Sequence, residues 1–384
     1  MLITTQKELE AFCASLKDFK FITVDTEFLR EKTYYPKLCL IQIGDPEGRA
    51  AAIDPLIEGL DLRPVFELFF DPNILKVFHA ARQDLEIFYN LTGKVVIPFF
   101  DTQIAAMVCG YGDSVGYESL VRNITGGKLD KSVQYTNWSH RPLSESQINY
   151  ALGDVTHLVE IYATLSQELE KRNRVQWVFE EEAILEDPAT YELDPYEMWR
   201  KVKVKSPKPQ VLAILRELAA WREKRARSKN LPKNWVLRDE TLADMAAQAP
   251  KDKKALKRIR NFPGDLVDHA IGRELLSLID KALKSDPSSW PSVKRGKPPS
   301  AKVMAIVEIL KLLLKLQAAE HEVAAKLIAN SADLEAIAKD DTADVPAMRG
   351  WRREVFGDDA LAMKHGQRAI GLQDGRVQKF VIGN

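Results

Sequence analysis

Apolar residues gather in short, dense runs over the first part of the chain. Residues 19–28, 38–43 and 74–79 are rich in β-branched and aromatic side chains. They are separated by turn signals such as Tyr35-Pro36, Gly44-Asp45-Pro46 and Asp71-Pro72-Asn73. These runs predict strands, and 50–53 predicts another, third in order along the chain. Apolar positions at helical spacing predict helices over 62–70, 83–91, 104–110 and 144–172. Closely spaced strands followed by an alternation of strand and helix predict an α/β domain, a mixed sheet with helices on its faces.

Farther along, the pattern changes to helices only, and it does so twice. Pro- and Ser-containing stretches at 206–209 and 290–299 predict linkers. Shifting the sequence by about 92 positions places Ile214 on Ile306, Leu218 on Leu310, Leu242 on Leu334 and Ala246 on Ala338, a weak internal repeat of two small helical units. The expected organisation is an α/β domain over 1–172, a connecting segment over 173–207, a first helical domain over 208–288, a linker over 289–300 and a second helical domain over 301–384.

Composition narrows the class. With 384 residues, 45% of them apolar and 8% aromatic, the chain is long enough for two or three separate cores and is not of a disordered type. Its most apolar helical run, 306–316, is interrupted by Glu308, Lys311 and Lys315, so no membrane span is expected. The first residues lack the basic-then-apolar pattern of an export signal. Cys13, Cys39 and Cys109 contain no C-x-x-C pair and suit free thiols in a reducing cytoplasm.

Lysine plus arginine and aspartate plus glutamate each number 55, giving a net charge of zero, but the zero is a sum. Residues 1–170 carry −9 and 171–199 carry −5, whereas 200–300 carry +14 and 301–384 are neutral. A basic middle of that size suits a polyanion. Arg216, Arg222, Lys224, Arg225, Arg227, Lys229 and the stretch 251–260 are the candidates to grip phosphates. Trp221 and Trp235 could offer stacking surfaces, although helical apolar neighbours favour a core role for both.

The candidate chemistry lies in carboxylates. In the 21–28 strand, Asp25 and Glu27 are two residues apart, so both side chains leave the same face. Alone, such a pair would mark an exposed strand edge; together with a cation it would be tolerated inside. Asp84 falls in the first turn of the 83–91 helix, where an acid also complements the helix dipole. Tyr150 and Asp154, four apart, share one face of the long 144–172 helix.

Taken in order, D-x-E on the first strand, a later Asp opening a helix and Y-x-x-x-D on a late helix resemble the tyrosine-bearing branch of the DEDD exonuclease superfamily. The histidine-bearing branch would need His where Asn149 stands. The text at 25–43, 79–86 and 131–143 is similar to the ribonuclease D family. The two helical units resemble helicase-and-RNase-D C-terminal (HRDC) domains. One departure is Asn137, where that family commonly has Asp before the tryptophan; it removes a charge beside the site without touching the acids.

The resemblance implies a ribonuclease H-like catalytic domain and a metal-dependent 3′-to-5′ exoribonuclease. It would release nucleoside 5′-monophosphates from RNA 3′ ends, in tRNA 3′ maturation and stable RNA processing. Asp25, Glu27, Asp84 and Asp154 would hold two divalent ions, Mg²⁺ or Mn²⁺, because oxygen donors suit hard cations. Tyr150 would orient the attacking water; an unperturbed phenol, with a pKa of about 10, is a poor base at neutral pH. Phe28, His79, Lys131 and Gln134 are the implied substrate-binding residues. The implied partner is RNA, with tRNA precursors bearing unpaired 3′ ends as the expected class and with neither a membrane nor an obligate protein partner.

A DNA-directed exonuclease would share every catalytic residue, and a non-catalytic RNA-binding scaffold would have no need of the acid set. A helicase is disfavoured because no G-x-x-x-x-G-K-[ST] phosphate loop occurs.

Overall fold

The computed structural model describes residues 1–129, 131–205, 208–292 and 298–382. Six strands form one sheet in the order β1-β4-β3-β2-β5-β6: β1 (Leu2–Ile3), β2 (Phe21–Leu29), β3 (Lys37–Gly44), β4 (Ala50–Ile53), β5 (Leu75–Phe78) and β6 (Phe99–Asp101). β3 runs antiparallel to β2 and β4, while β2, β5 and β6 are mutually parallel, so the sheet is mixed as expected. β1 and β6 lie at the two ends of the sheet and were not foreseen, because two and three residues are too few to show a period.

Helices α1 (Gln6–Ser15), α2 (Arg63–Phe69) and α3 (Arg82–Thr92) cover one face, where Leu9, Ile22, Val24, Phe69 and Phe88 share a fully buried core. In chain order there follow α4 (Thr102–Val108), the single turn α5 (Tyr117–Leu120) and the long α6 (Glu145–Lys171). α6 starts at Ser144, whose hydroxyl accepts from the Gln147 amide while the Gln147 side chain accepts from the Ser144 amide in return. Its buried stripe, Ala151, Asp154, Val155, Leu158, Ile161, Leu165 and Leu169, lies against the opposite face of the sheet. Gly44 permits the close approach: a Cβ there would lie 2.5 Å from Thr23 Oγ1, which itself donates to the Val155 carbonyl at 2.8 Å.

Residues 173–205 contribute more than a tether; 206 and 207, at the expected linker, lie outside the described residues. α7 (Val175–Glu186) packs against α4, and Met198, Trp199 and Val202 enter the core of the first helical unit. That unit holds α8 (Pro209–Lys229), α9 (Lys233–Val236), α10 (Asp239–Gln248), α11 (Lys253–Leu256) and α12 (Ala270–Lys284). The second opens with α13 (Ala301–Glu320), α14 (Ala325–Ile328) and α15 (Ser331–Lys339). Pro209 and Ala301, Lys233 and Ala325, and Asp239 and Ser331 open matching helices, each pair at the 92-residue shift. Leu218, Leu310, Leu242 and Leu334 are all buried. The likeness ends there, because the second unit closes on an antiparallel hairpin, β7 (Arg368–Gln373) with β8 (Arg376–Val381), in a region expected to be helical only. Gly375, at φ +73°, sits in its turn; Leu372 and Val381 stay exposed, while Ile370 packs against the core of the unit.

Both helical units are docked on the catalytic domain. Tyr34, in the loop leaving β2, donates to Glu223, and the Tyr34 and Tyr35 amides donate to Asn230 Oδ1 at 3.1 and 3.0 Å. Asn230 caps α8 in the left-handed region, φ 48°. On the other side, Ala324 donates its amide to the Met107 carbonyl at 2.9 Å, Trp177 stacks on Trp351 with centroids 4.3 Å apart, and Arg352 pairs with Glu181. Cys13, Cys39 and Cys109 are buried and unpaired. Among the described residues no helix is long and apolar enough to cross a membrane.

Candidate active site and nucleic-acid face

The D-x-E pair lies on the central strand β2, facing α6. A bulge follows at once: Glu27 pairs with Leu40 but Phe28 pairs with Leu38, leaving Cys39 as the extra residue and turning the strand beside the acids. Asp154 occupies the buried stripe of α6, where an apolar residue would otherwise be expected. Ligand oxygens of Asp25, Glu27 and Asp154 all lie within 4.8 Å of one another.

Asp84 comes to the site by another route. The turn between β5 and α3 is fixed by Asp101, whose carboxylate accepts the Ala80 and Ala81 amides, both at 2.9 Å, with Ala80 at φ 60°. α3 then presents Asp84, buried, to the Thr26 hydroxyl. It stands outside the three-acid cluster but close enough that Asp25 raises its pKa.

The electrostatics are those of a site short of positive charge. Burial, then the facing Asp154, holds Asp25 well above the usual carboxyl range. Burial, then Asp25, Asp154 and Asp84, pushes Glu27 up to about 10. Asp84 is raised by burial and Asp25, and burial lifts Asp154 to about 7. Asp154 Oδ1 is buried with no hydrogen-bond partner among the described residues. No described lysine or arginine lines the cavity of about 460 Å³ that contains Asp25, Glu27 and Asp154. All-oxygen donors, an unpartnered carboxylate oxygen and mutual repulsion fit hard divalent cations.

Around the acids the structure gathers Phe28, His79, Gln134 and Tyr150, all named from the sequence. Tyr150 donates to Asp154, and burial raises its pKa, so the phenol keeps its proton. His79 Nδ1 lies 3.0 Å from Thr102 Oγ1, and burial lowers its pKa to about 4, leaving it neutral near pH 7. The Lys131 side chain lies outside the described residues. Gln83, Tyr117 and Tyr135 also line the cavity and were not singled out. Tyr117 donates to the Asp154 carbonyl at 2.5 Å from a one-turn helix, a context with no sequence signature.

The basic stretch divides in two. Arg222 is buried, pairing with Asp239 at 2.7 Å and donating to the Leu237 carbonyl at 2.9 Å, and Arg227 is spent on Glu223 and Tyr34. Arg222 is withdrawn from solvent, and the half-buried Arg227 is committed to Glu223 and to Tyr34 across the contact with the catalytic domain. Lys251, Lys253, Lys254, Lys257, Arg258 and Arg260 are exposed on and around α11. Trp221 is core, as favoured, but Trp235 is 62% exposed, against the expectation of burial, because its four-residue helix α9 has no element packed over that face.

Residues 1–170 match the 3′-5′ exonuclease family and residues 211–279, within the first helical unit, match the HRDC domain. Ribonuclease D of Nitrobacter hamburgensis is 46% identical over 376 residues, 98% of each chain. Ribonuclease D of Granulibacter bethesdensis is 44% identical over 383 residues, 100% of this chain and 97% of that one. The crystal structure of Escherichia coli RNase D, an exoribonuclease involved in structured RNA processing, aligns with a TM-score of 0.81 and 31% identity over 95% of this chain and 98% of that one. The sheet, its acids and these matches define a 3′-5′ exonuclease of the DEDD class, which depends on divalent metal. Within that class the chain belongs to the ribonuclease D family.

Proposed function

We propose that this enzyme is a 3′-to-5′ exoribonuclease that uses two divalent ions, Mg²⁺ or Mn²⁺, to release nucleoside 5′-monophosphates from stable RNA precursors. Transfer RNA precursors with unpaired 3′ ends are the expected class. The observation that carries the reading is the convergence of Asp25, Glu27 and Asp154 within 4.8 Å, with Tyr150 bonded to Asp154. When bound, the ions supply Lewis acidity and a nucleophile usable near neutral pH.

Asp25, Glu27 and Asp154 would hold the ions through their clustered oxygens, and Asp84, which accepts from the Thr26 hydroxyl, would add a fourth carboxylate to the set. Tyr150 stays protonated and positions the water by hydrogen bonding; it does not remove its proton. Phe28 offers a face to the terminal base, while His79 and Gln134 line the place of the terminal nucleotide. Lys131 would contact a phosphate.

The matching helix starts support reading 301–382 as a second, HRDC-like unit, with domain boundaries near 172, 207, 288 and 300. Buried, unpaired thiols suit the cytoplasm. Incubating the full chain with 3′-labelled RNA and matched DNA, with Mg²⁺ and with EDTA, tests the reading. Mononucleotide release from RNA that needs the metal and is lost in Asp25→Asn is expected. A strong preference for DNA would overturn the RNA assignment, and activity untouched by Asp25→Asn would overturn the site.

A further inference from the structure

A second cavity, of about 370 Å³, adjoins the first, and Tyr135 lines both. β2 passes between them: Glu27 and Phe28 line the catalytic cavity, and Leu29 and the loop after it line the second. Tyr135 is 94% exposed. It gains nothing from packing there, yet its turn is anchored on both sides. Thr136 donates to the Val133 carbonyl from its amide at 3.1 Å and its hydroxyl at 2.7 Å, the Gln147 side chain donates to the Thr136 hydroxyl at 3.0 Å, and the buried Trp138 indole donates to the Gln134 carbonyl at 3.4 Å.

Charge changes between the two cavities. The catalytic cavity holds carboxylates and no described lysine or arginine, whereas Lys32 and Lys37 line the second against a single described acid, Glu31. Asn137 and Ser139 add neutral polar groups. An exposed aromatic beside basic side chains, next to a metal-binding centre, has the chemistry that receives single-stranded nucleic acid: the ring stacks a base and the lysines meet phosphates.

We infer that the second cavity is a subsite for the nucleotides immediately upstream of the scissile one, with Tyr135 as the stacking platform at its entrance. This rests on the exonuclease reading above. The terminal nucleotide enters the acid-lined cavity, and the strand behind it turns over Tyr135 toward Lys32 and Lys37. Binding energy gained there by longer substrates supports placement of the terminal phosphodiester.

The test compares two substrates in the presence of Mg²⁺. Uridine 5′-p-nitrophenyl phosphate occupies only the terminal position; an oligouridylate octamer extends upstream. The readout is the ratio of kcat/KM for the octamer to that for the small ester, which does not depend on how much of a variant is folded. Tyr135→Ala should lower the ratio between about fivefold and 160-fold, the range of one base–aromatic stack, and Tyr135→Phe should restore it. Lys32→Ala combined with Lys37→Ala should also lower the ratio, because it removes the cations that line the second cavity. A ratio unchanged in Tyr135→Ala and in the double lysine variant overturns the subsite. A wild-type enzyme inert on both substrates would instead overturn the exonuclease reading itself.

Discussion

At Glu27 the same physics that makes the site reactive makes it costly. A carboxyl that ionises near 4.5 in an unfolded chain is raised to about 10 in the fold, so between those values the unfolded state carries fewer protons than the folded one. The sign follows: stability from this group is full below about pH 4.5 and falls as pH rises towards 10. Asp154, raised to about 7, adds in the lower part of the window. The metal-free protein is therefore expected to melt at lower temperature at pH 8 than at pH 5.5. Added Mn²⁺ should raise the melting temperature more at pH 8, as calorimetry with and without EDTA would read. Tyr150→Phe should lower kcat by roughly 10²-fold, the cost of a misplaced reactant, with KM little changed in steady-state assays. The five candidates Asp25, Glu27, Asp84, Tyr150 and Asp154 were legible as a set, because their order and spacing on regular elements jointly resemble one family's pattern. Tyr117 and Tyr135 were not, since what brings them to the cavity is the path of loops and a one-turn helix.

Among the elements, the turn from β5 into α3 shows how a candidate metal-binding side chain, Asp84, is aimed by a residue outside the acid cluster. Asp101 caps α4 by accepting the Gln103 amide at 2.8 Å while it also holds the Ala80 and Ala81 amides. Its own amide donates to Glu182 of α7 at 2.6 Å. Asp101→Ala strands three amides near the sheet, and a loss of about 3 kcal/mol is expected in urea unfolding, together with weaker metal affinity through a displaced Asp84. Strands β2, β3, β4 and β5 were readable from their dense apolar runs. α6 was readable too, from its cap to its end, and Asp154 is the acid that breaks its apolar stripe. The terminal hairpin was missed because β8 is largely exposed and β7 half-buried along most of its length, so neither shows an alternation of inward apolar and outward polar positions.

For the whole molecule, net charge conceals the arrangement and the fold explains the division. Acids converge in the catalytic domain, while the exposed cations of 251–260 lie in the first helical unit, with Arg222 and Arg227 withdrawn into internal pairs. RNA affinity measured over a salt series should fall steeply. Lys254→Ala combined with Lys257→Ala should flatten the slope of log affinity against log salt by about 0.7 for every phosphate that these lysines neutralise, with hydrolysis of a small ester as the check on the centre. The latch from Tyr34 to Glu223 and Asn230 then has a mechanical meaning. It joins the loop after the strand bearing Asp25 and Glu27 to the unit bearing the exposed cations. After each cut the RNA itself must advance by one nucleotide past every point at which it is held. A grip made of phosphate charge, alike at every step along the strand, lets it slide where base-specific bonds would hold it in register.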